Sequence, residues 1–509
     1  MQMLTWFAKH FKTAAALAGV FSVCALPPYY FFPALFAGFT VLLLLLGRAS
    51  SAKQAFTAGY WFGFGFFACG FSWIGNALLI DAATFGWLYP LALLGSGAFF
   101  GLFAAVPAWL TFYFPGFKQK YAVFPALWVL SEWIRSFILT GFPWNLLGSC
   151  LAFHSAGIQL ASVFGTYGLS WLLLFVVSAP ALWLQTPGQT ERRASLTIIA
   201  AGIAVIYGFG FWRLAAKDDP TPSETTIRIV QPSIPQNMKW DRNTLENNLN
   251  DYISLSREPG LEKTDFVIWG ETASPFPLDI DLPHRRAVTQ AIPENGYLIT
   301  GALRYSFDRY GEASPLNSVL IIGKNGEIAA AYDKTHLVPF GEYIPLRRFL
   351  PASFRPITNT IANFHPGNGP ETVNIQNYPA LGMVICYEII FPHEISDRKN
   401  KPQWIVNATN DGWYGNSAGP YQHLVTARLR AVEEGITVIR AANSGISAII
   451  SRTGRVINKL DLNQRGILDA RLPKSLNLYT IYGEFGNKIP LILLTFNILL
   501  VFFSSHYKR

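Results

Sequence analysis

Two hydrophobic patterns divide the chain. Up to residue 214, long apolar stretches dominate, near residues 12–27, 29–47, 56–80, 85–114, 121–141, 157–186 and 195–213, and one more follows at 489–505. Crossing a bilayer takes roughly 20 apolar residues in a helix, and most of these stretches reach or approach that length. They predict a membrane domain of seven transmembrane helices in 1–214 and an eighth helix with a short tail in 489–509. The first stretch is short and follows Lys9 and Lys12, as in a signal peptide. A second span follows almost at once, so the first is read as retained. Between 215 and 488 the apolar runs are short. Thr226–Gln231, Asp265–Trp269, Tyr297–Gly301, Ser318–Gly323, Gly382–Cys386, Gln403–Ala408, Thr437–Ala441 and Ser447–Ser451 read as strands. Most are continuous apolar runs, as in strands covered on both faces. Residues 243–256, 284–292, 390–398 and 420–435 read as helices, the last with Val425, Leu429 and Val432 on one face. The expectation is a multi-span helical membrane bundle joined to one α/β domain.

Charge adds an orientation. The net charge is +9, but residues 1–214 hold ten Lys/Arg against three Asp/Glu, leaving 30 against 28 for the rest. The basicity thus belongs to the membrane half, and the downstream domain has no nucleic-acid footprint. Alternate connections carry Lys9/Lys12, Arg48/Lys53, Lys118/Lys120, Arg192/Arg193 and Lys508/Arg509, whereas those around residues 28, 81 and 150 carry none. By the positive-inside rule both termini are expected in the cytoplasm and 215–488 outside it. Glu132 and Arg135, at i and i+3 in the fifth stretch, read as a structural ion pair near a helix end or as a lipid-headgroup contact.

The candidate chemistry centres on Cys386, the last of four cysteines, where the apolar run Leu381–Ile385 stops. It has no partner cysteine in its own domain, so an internal disulfide there is impossible. A thiol near its free pKa needs a base to take its proton and a positive charge to hold the thiolate. Glu271, after the run Val267-Ile-Trp-Gly, suits the first task, and partial burial is expected to raise its pKa. Lys334, in Tyr332-Asp-Lys-Thr-His336, suits the second and could also hold the oxyanion formed when sulfur attacks a carbonyl. The backbone N–H of Tyr387 is a second oxyanion donor by position. Each residue alone is more often a small core thiol, a loop acid or a surface lysine.

Together their contexts resemble the nitrilase superfamily, whose members use a Glu-Lys-Cys triad. Asn410-Asp-Gly-Trp413 is similar to that superfamily's segment after the nucleophile strand. Apolar spans on both sides narrow the resemblance to the apolipoprotein N-acyltransferase family. Thr140-Gly-Phe-Pro-Trp144, Val230-Gln-Pro-Ser-Ile-Pro-Gln-Asn-Met-Lys-Trp240, Lys334-Thr-His-Leu-Val-Pro-Phe-Gly-Glu-Tyr-Ile-Pro345 and Cys386-Tyr-Glu388 all resemble its motifs. The resemblance implies a four-layer α-β-β-α sandwich on a membrane bundle in the bacterial inner membrane. It implies acyl transfer from a membrane phospholipid, through a Cys386 thioester, to the N-terminal amine of a diacylated apolipoprotein, without cofactor or metal. It makes Glu271, Lys334 and Cys386 catalytic, with Glu342, Tyr387, Glu388 and Trp240 supporting. Glu342 would orient Lys334 or share the base's work, and Trp240 would contact lipid or shape the pocket. Residues 346–364 interleave Leu346, Phe349, Leu350, Phe354 and Phe364 with Arg347, Arg348 and Arg355, the composition of an interfacial lid or of a loop packed on its own domain. His336, His365, His393 and His423 lack metal-site spacing and read as structural or surface residues. Two other functions stay open: a membrane-anchored nitrilase-type hydrolase, with water as acceptor, and a transporter with an inactive hydrolase-like domain.

Overall fold

The computed structural model describes residues 10–217, 222–307, 309–311, 313–345, 363–474 and 480–506. The chain divides into two units: Met1–Lys217 with Val432–Glu434 and Tyr479–Arg509, and Asp218–Ala431 with Gly435–Leu478.

In the first unit the apolar stretches become helices at Phe11–Ser22, Pro33–Arg48, Ala52–Gly70, Tyr89–Phe112, Phe117–Ile134, Ala161–Ser178, Gln189–Lys217 and Lys488–His506. Among the described residues three helical stretches are long and apolar enough to cross a membrane, or four if Ala52–Gly70 and the bent continuation Ser72–Leu79 count as one span. Glycine lets the backbones approach: a Cβ on Gly19 would lie 2.0 Å from Phe62 O, and one on Gly63 would lie 2.9 Å from Gly101 Cα. Large apolar side chains such as Leu91, Leu94, Phe211, Trp212, Ile492 and Phe496 are exposed, the reverse of a water-soluble bundle.

The fifth stretch is shorter as a helix than its apolar run suggests. After Ile134 the chain turns through Leu139 (φ 51°), Thr140 (φ 77°) and Gly141 (φ 85°). The buried Glu132 and Arg135 explain the turn. Arg135 Nη1 donates to the carbonyls of Phe142 (2.6 Å) and Trp144 (2.8 Å), and Glu132 Oε1 accepts from Leu147 N (3.1 Å) and Trp128 Nε1 (3.2 Å). The two side chains hold a non-helical return segment whose backbone would otherwise lack partners in an apolar setting.

The second unit is built on two six-stranded sheets. The strands are β1 (Pro222–Gln231), β2 (Phe266–Ile268), β3 (Tyr297–Phe307), β4 (Ala313–Gly323), β5 (Ile328–Asp333), β6 (Thr372–Val373), β7 (Leu381–Ile385), β8 (Trp404–Thr409), β9 (Thr437–Ala442), β10 (Ser447–Ile450), β11 (Val456–Leu460) and β12 (Gly466–Pro473). One sheet runs β12-β1-β2-β3-β4-β5 and the other β11-β10-β9-β8-β7-β6. Alternation along each strand decides the layers. Ile227, Ile229, Ile268, Ile299, Val319 and Ile321 pack on Met383, Ile385, Val406, Ile439 and Ile449 of the other sheet. Their neighbours Val267, Trp269, Leu298, Leu320 and Ile322 face outward onto Leu249, Tyr252, Ile253 and Val288 of the helices Leu245–Ser256 and Leu282–Val288. With Gly419–Glu434 on the second sheet's side, this is the four-layer α-β-β-α sandwich.

One expected helix is absent. Residues 390–398 form no helix beyond the short turn Cys386–Ile390. Pro392 drives the preceding residue out of helical space, and Phe391 is extended at φ −82°, ψ 112°. Edge strands β5, β6, β11 and β12 were not apparent in the pattern, because they are short or half-exposed.

Candidate active site

The strand β7 is buried along its whole length and pairs in parallel with β8. Cys386 is the first residue past its end and takes φ 46°, left-handed for a residue with a side chain. Such a conformation costs about 1–3 kcal/mol and persists only where surrounding contacts over-determine it. The turn after it is held by Glu388, whose Oε2 accepts from Ile385 N (2.6 Å). Glu388 Oε1 accepts from Thr335 N (2.6 Å), Tyr332 Oη (2.8 Å) and His336 N (3.2 Å). This one carboxylate therefore ties the nucleophile's turn to the loop bearing Lys334. Burial raises its pKa to about 7, and its donors offset part of that cost.

Glu271 follows β2, and its carboxyl is close enough to the Cys386 thiol for each to affect the other's ionisation. The backbone there packs so closely that a Cβ on Gly301 would lie 2.3 Å from Thr272 N. Lys334, 1% exposed, lies between two acids. Its Nζ is 2.9 Å from Glu342 Oε1 and 3.3 Å from Glu271 Oε1. Asn317 Nδ2 bridges the same two carboxylates at 2.8 Å each, and Glu342 Oε2 accepts from Val338 N (2.8 Å). The fold therefore brings Glu271, Lys334, Glu342 and Cys386 together from three connections, after β2, after β5 and after β7.

The electrostatics follow from that packing. Burial pulls Lys334 down, but Glu342 and then Glu271 outweigh it and hold the ammonium well above the usual lysine range. Burial pushes Glu271 up, yet Lys334, then Lys239 and the Asn317 amide, bring it below the ordinary carboxyl value. This corrects the sequence expectation of a raised Glu271: neighbouring cations win over desolvation. Burial first, and the Glu271 charge second, push the Cys386 thiol up to about 12. The resting pair is a neutral thiol beside a carboxylate.

Two supporting residues are placed differently from one another. Tyr387 is buried against Phe391, with ring centroids 5.2 Å apart, while Trp240 is 40% exposed and so is not core packing. Its neighbour Lys239 points inward instead, and its Nζ donates to Glu271 O at 2.8 Å. Burial lowers Lys239 to about 8. The sequence reading missed Lys239, Asn317 and the buried group Asp411, His423 and Arg440. His423 is fully buried, which excludes the surface reading and leaves the structural one, with Nε2 3.1 Å from Cys386 O. The signal available was the position of Lys239 and Asp411 inside the quoted motifs. Of residues 346–364, read from the sequence as an interfacial lid or a loop packed on its own domain, 346–362 lie outside the described residues, and Phe364 is buried with its N–H on Glu342 O (3.0 Å). Among the described residues no group of three His, Cys, Asp or Glu could hold a metal ion.

The paired six-stranded sheets, with a buried cysteine, glutamate and lysine where their loops meet, place the second unit in the carbon-nitrogen hydrolase class, whose family pattern matches residues 226–478. The apolipoprotein N-acyltransferase N-terminal domain matches residues 18–179. Apolipoprotein N-acyltransferases of Rhodopseudomonas palustris and Rickettsia prowazekii are each 36% identical to the chain, covering 98% and 97% of it and 96% and 98% of their own lengths. That of Rhizobium rhizogenes is 38% identical, covering 91% of the chain and 90% of its own length. The chain belongs to the apolipoprotein N-acyltransferase family. It is an acyltransferase and, with its apolar helices, a membrane protein.

Proposed function

We propose that the protein transfers a fatty acyl chain from a membrane phospholipid to the N-terminal amine of a lipoprotein's diacylglyceryl-cysteine, through a thioester on Cys386. The observation that carries this reading is the buried convergence of Cys386, Glu271 and Lys334. Cys386 sulfur attacks the ester carbonyl as Glu271 takes the thiol proton. Lys334 and the Tyr387 N–H receive the oxyanion. Its collapse expels the lysophospholipid alkoxide, which takes the proton from Glu271 and leaves an acyl thioester. The lipoprotein amine then attacks the thioester, Glu271 accepts its proton, and the amide leaves as the Cys386 thiol is restored. Glu342 holds Lys334 in place, Glu388 supports the nucleophile's turn, and exposed Trp240 meets lipid. The loop cations support an inner-membrane setting, with 215–488 on the periplasmic side, both termini in the cytoplasm, and seven spans before the catalytic domain and one after it. Reporter fusions at Ser223 and Arg509 should report opposite sides.

The test is intact-mass measurement after incubation with a defined phospholipid and no acceptor. One acyl chain should be added to the wild type and removed by neutral hydroxylamine, and Cys386→Ala should gain none. A diacylated lipopeptide with a free amine should discharge the adduct and become triacylated. Product formation without any adduct would favour direct transfer, and discharge only to water would make the chain a hydrolase.

A further inference from the structure

Behind the nucleophile lies a buried polar group that the reaction above does not use. His423, on the helix Gly419–Glu434, sets Nε2 3.1 Å from Cys386 O. A carbonyl oxygen only accepts, so the ring nitrogen facing it carries hydrogen. On the ring's other side, Nδ1 is 2.8 Å from Asp411 Oδ1 and 3.1 Å from Arg440 Nη2. The neutral ring accepts there from Arg440 and the imidazolium donates to Asp411. In both states Nε2–H points at Cys386 O. Arg440 Nη2 also donates to both Asp411 oxygens (2.8 and 2.7 Å), and its Nη1 donates to Asn407 Oδ1 (2.7 Å). All four of these side chains are at most 1% exposed. Nor is there slack around Asp411, because a Cβ on Gly445 would lie 2.2 Å from its Oδ2.

The carbonyl that His423 grips belongs to the same peptide unit as the Tyr387 N–H. That unit is planar and trans, so its C=O and N–H point in opposite directions. Fixing one fixes the other. We propose that His423, clamped by Asp411 and Arg440, is a positioning residue that aims the Tyr387 N–H at the reacting oxyanion by holding the Cys386 carbonyl. The inference rests on the acyl-enzyme reading above, and it assigns His423 no proton transfer. The left-handed backbone at Cys386 makes the need plain, since such a conformation persists only where surrounding contacts hold it.

The experiment compares two reactions of one sulfur in the full-length, detergent-solubilised protein. Acylation by a defined phosphatidylethanolamine passes through an oxyanion, and alkylation by iodoacetamide does not. His423→Phe keeps the ring volume and removes the donor, and His423→Gln keeps an N–H near the Nε2 position. Losing an oxyanion donor costs about 100- to 1000-fold, so misaiming one should slow acylation by about 10- to 100-fold. Alkylation of Cys386 should stay within about 3-fold, and His423→Gln should recover most of the acylation rate. Unchanged acylation in His423→Phe would overturn the proposal. So would a parallel fall in alkylation, which would mean that the ring merely supports the local fold. Should His423→Phe fail to fold, His423→Gln against Gly445→Ala makes the same comparison: Gly445→Ala displaces Asp411 and should slow acylation selectively, and equal rates in both reactions would count against the proposal. A wild type that is alkylated but never acylated would instead sink the acyl-enzyme reading itself.

Discussion

Lys334 shows how much a single residue's surroundings decide. Because it is fully buried between Glu271 and Glu342, removing it does two things. Lys334→Met leaves two buried carboxylates without their shared cation, and breaking a buried pair costs about 3–5 kcal/mol. On the proposed mechanism it also removes an oxyanion donor, worth about 100- to 1000-fold in turnover. Thermal unfolding and acyl transfer should both register the loss. The double variant Lys334→Met/Glu342→Gln should regain part of the stability and none of the turnover; recovered turnover would take Lys334 out of the chemistry. Lys239 makes a pH-dependent prediction. Its folded pKa of about 8 lies below the unfolded value, so between the two the unfolded chain binds more protons. Stability from this group therefore rises with pH from about 8 to about 10. Wild type should gain on Lys239→Met over that window by up to about 3 kcal/mol, measured as the difference between their unfolding free energies. A flat difference would mean that Lys239 is not perturbed. Neither lysine announces this in the sequence. Lys334 was legible from its loop motif, but Lys239 was overlooked beside Trp240, because only the path of the chain reveals which of two adjacent side chains turns inward.

At the scale of elements, legibility followed burial. The central strands β2, β7, β8 and β9 are covered on both faces, so each is a continuous apolar run that the pattern marks clearly. Strand β11, Val456–Leu460, is exposed over most of its length and carries Asn458 and Lys459, so no period stands out. The stretch 390–398 has helical composition, but Pro392 and the left-handed His393 (φ 69°) break it. Among the apolar helices, the sequence marks lengths and not contacts, and contact is what glycine controls. Gly19→Ala would press a methyl group against the backbone of Phe62, a clash that a neighbouring helix can relieve only by moving. Overpacking of this kind costs about 1–3 kcal/mol. Gly95 and Gly208 have nothing within 4 Å of an added Cβ, and alanine there should be neutral or stabilising by up to about 1 kcal/mol. Melting temperatures in one detergent would rank the three variants, and a Gly19→Ala protein as stable as Gly95→Ala would refute the packing.

For the molecule as a whole, the division into an apolar helical part and an α/β part was legible from the spacing of hydrophobic residues, and the triad from its motifs. The second ring of residues around the triad was not, because Asn317, Asp411, His423 and Arg440 come from β4, the turn after β8, a helix and β9, and only folding makes them neighbours. The high pKa of the Cys386 thiol has a consequence beyond turnover. Peroxide and most electrophiles react with thiolates, and susceptibility follows the thiolate fraction. A sulfur held protonated until an ester arrives reacts with such reagents far more slowly than a standing thiolate would. Dimedone trapping after peroxide exposure should leave the resting Cys386 unlabelled, whereas rapid sulfenic acid formation would show a standing thiolate. The nucleophile would then outlast long exposure to an oxidising environment without reductant or repair, protected by the same burial that makes it wait for its substrate.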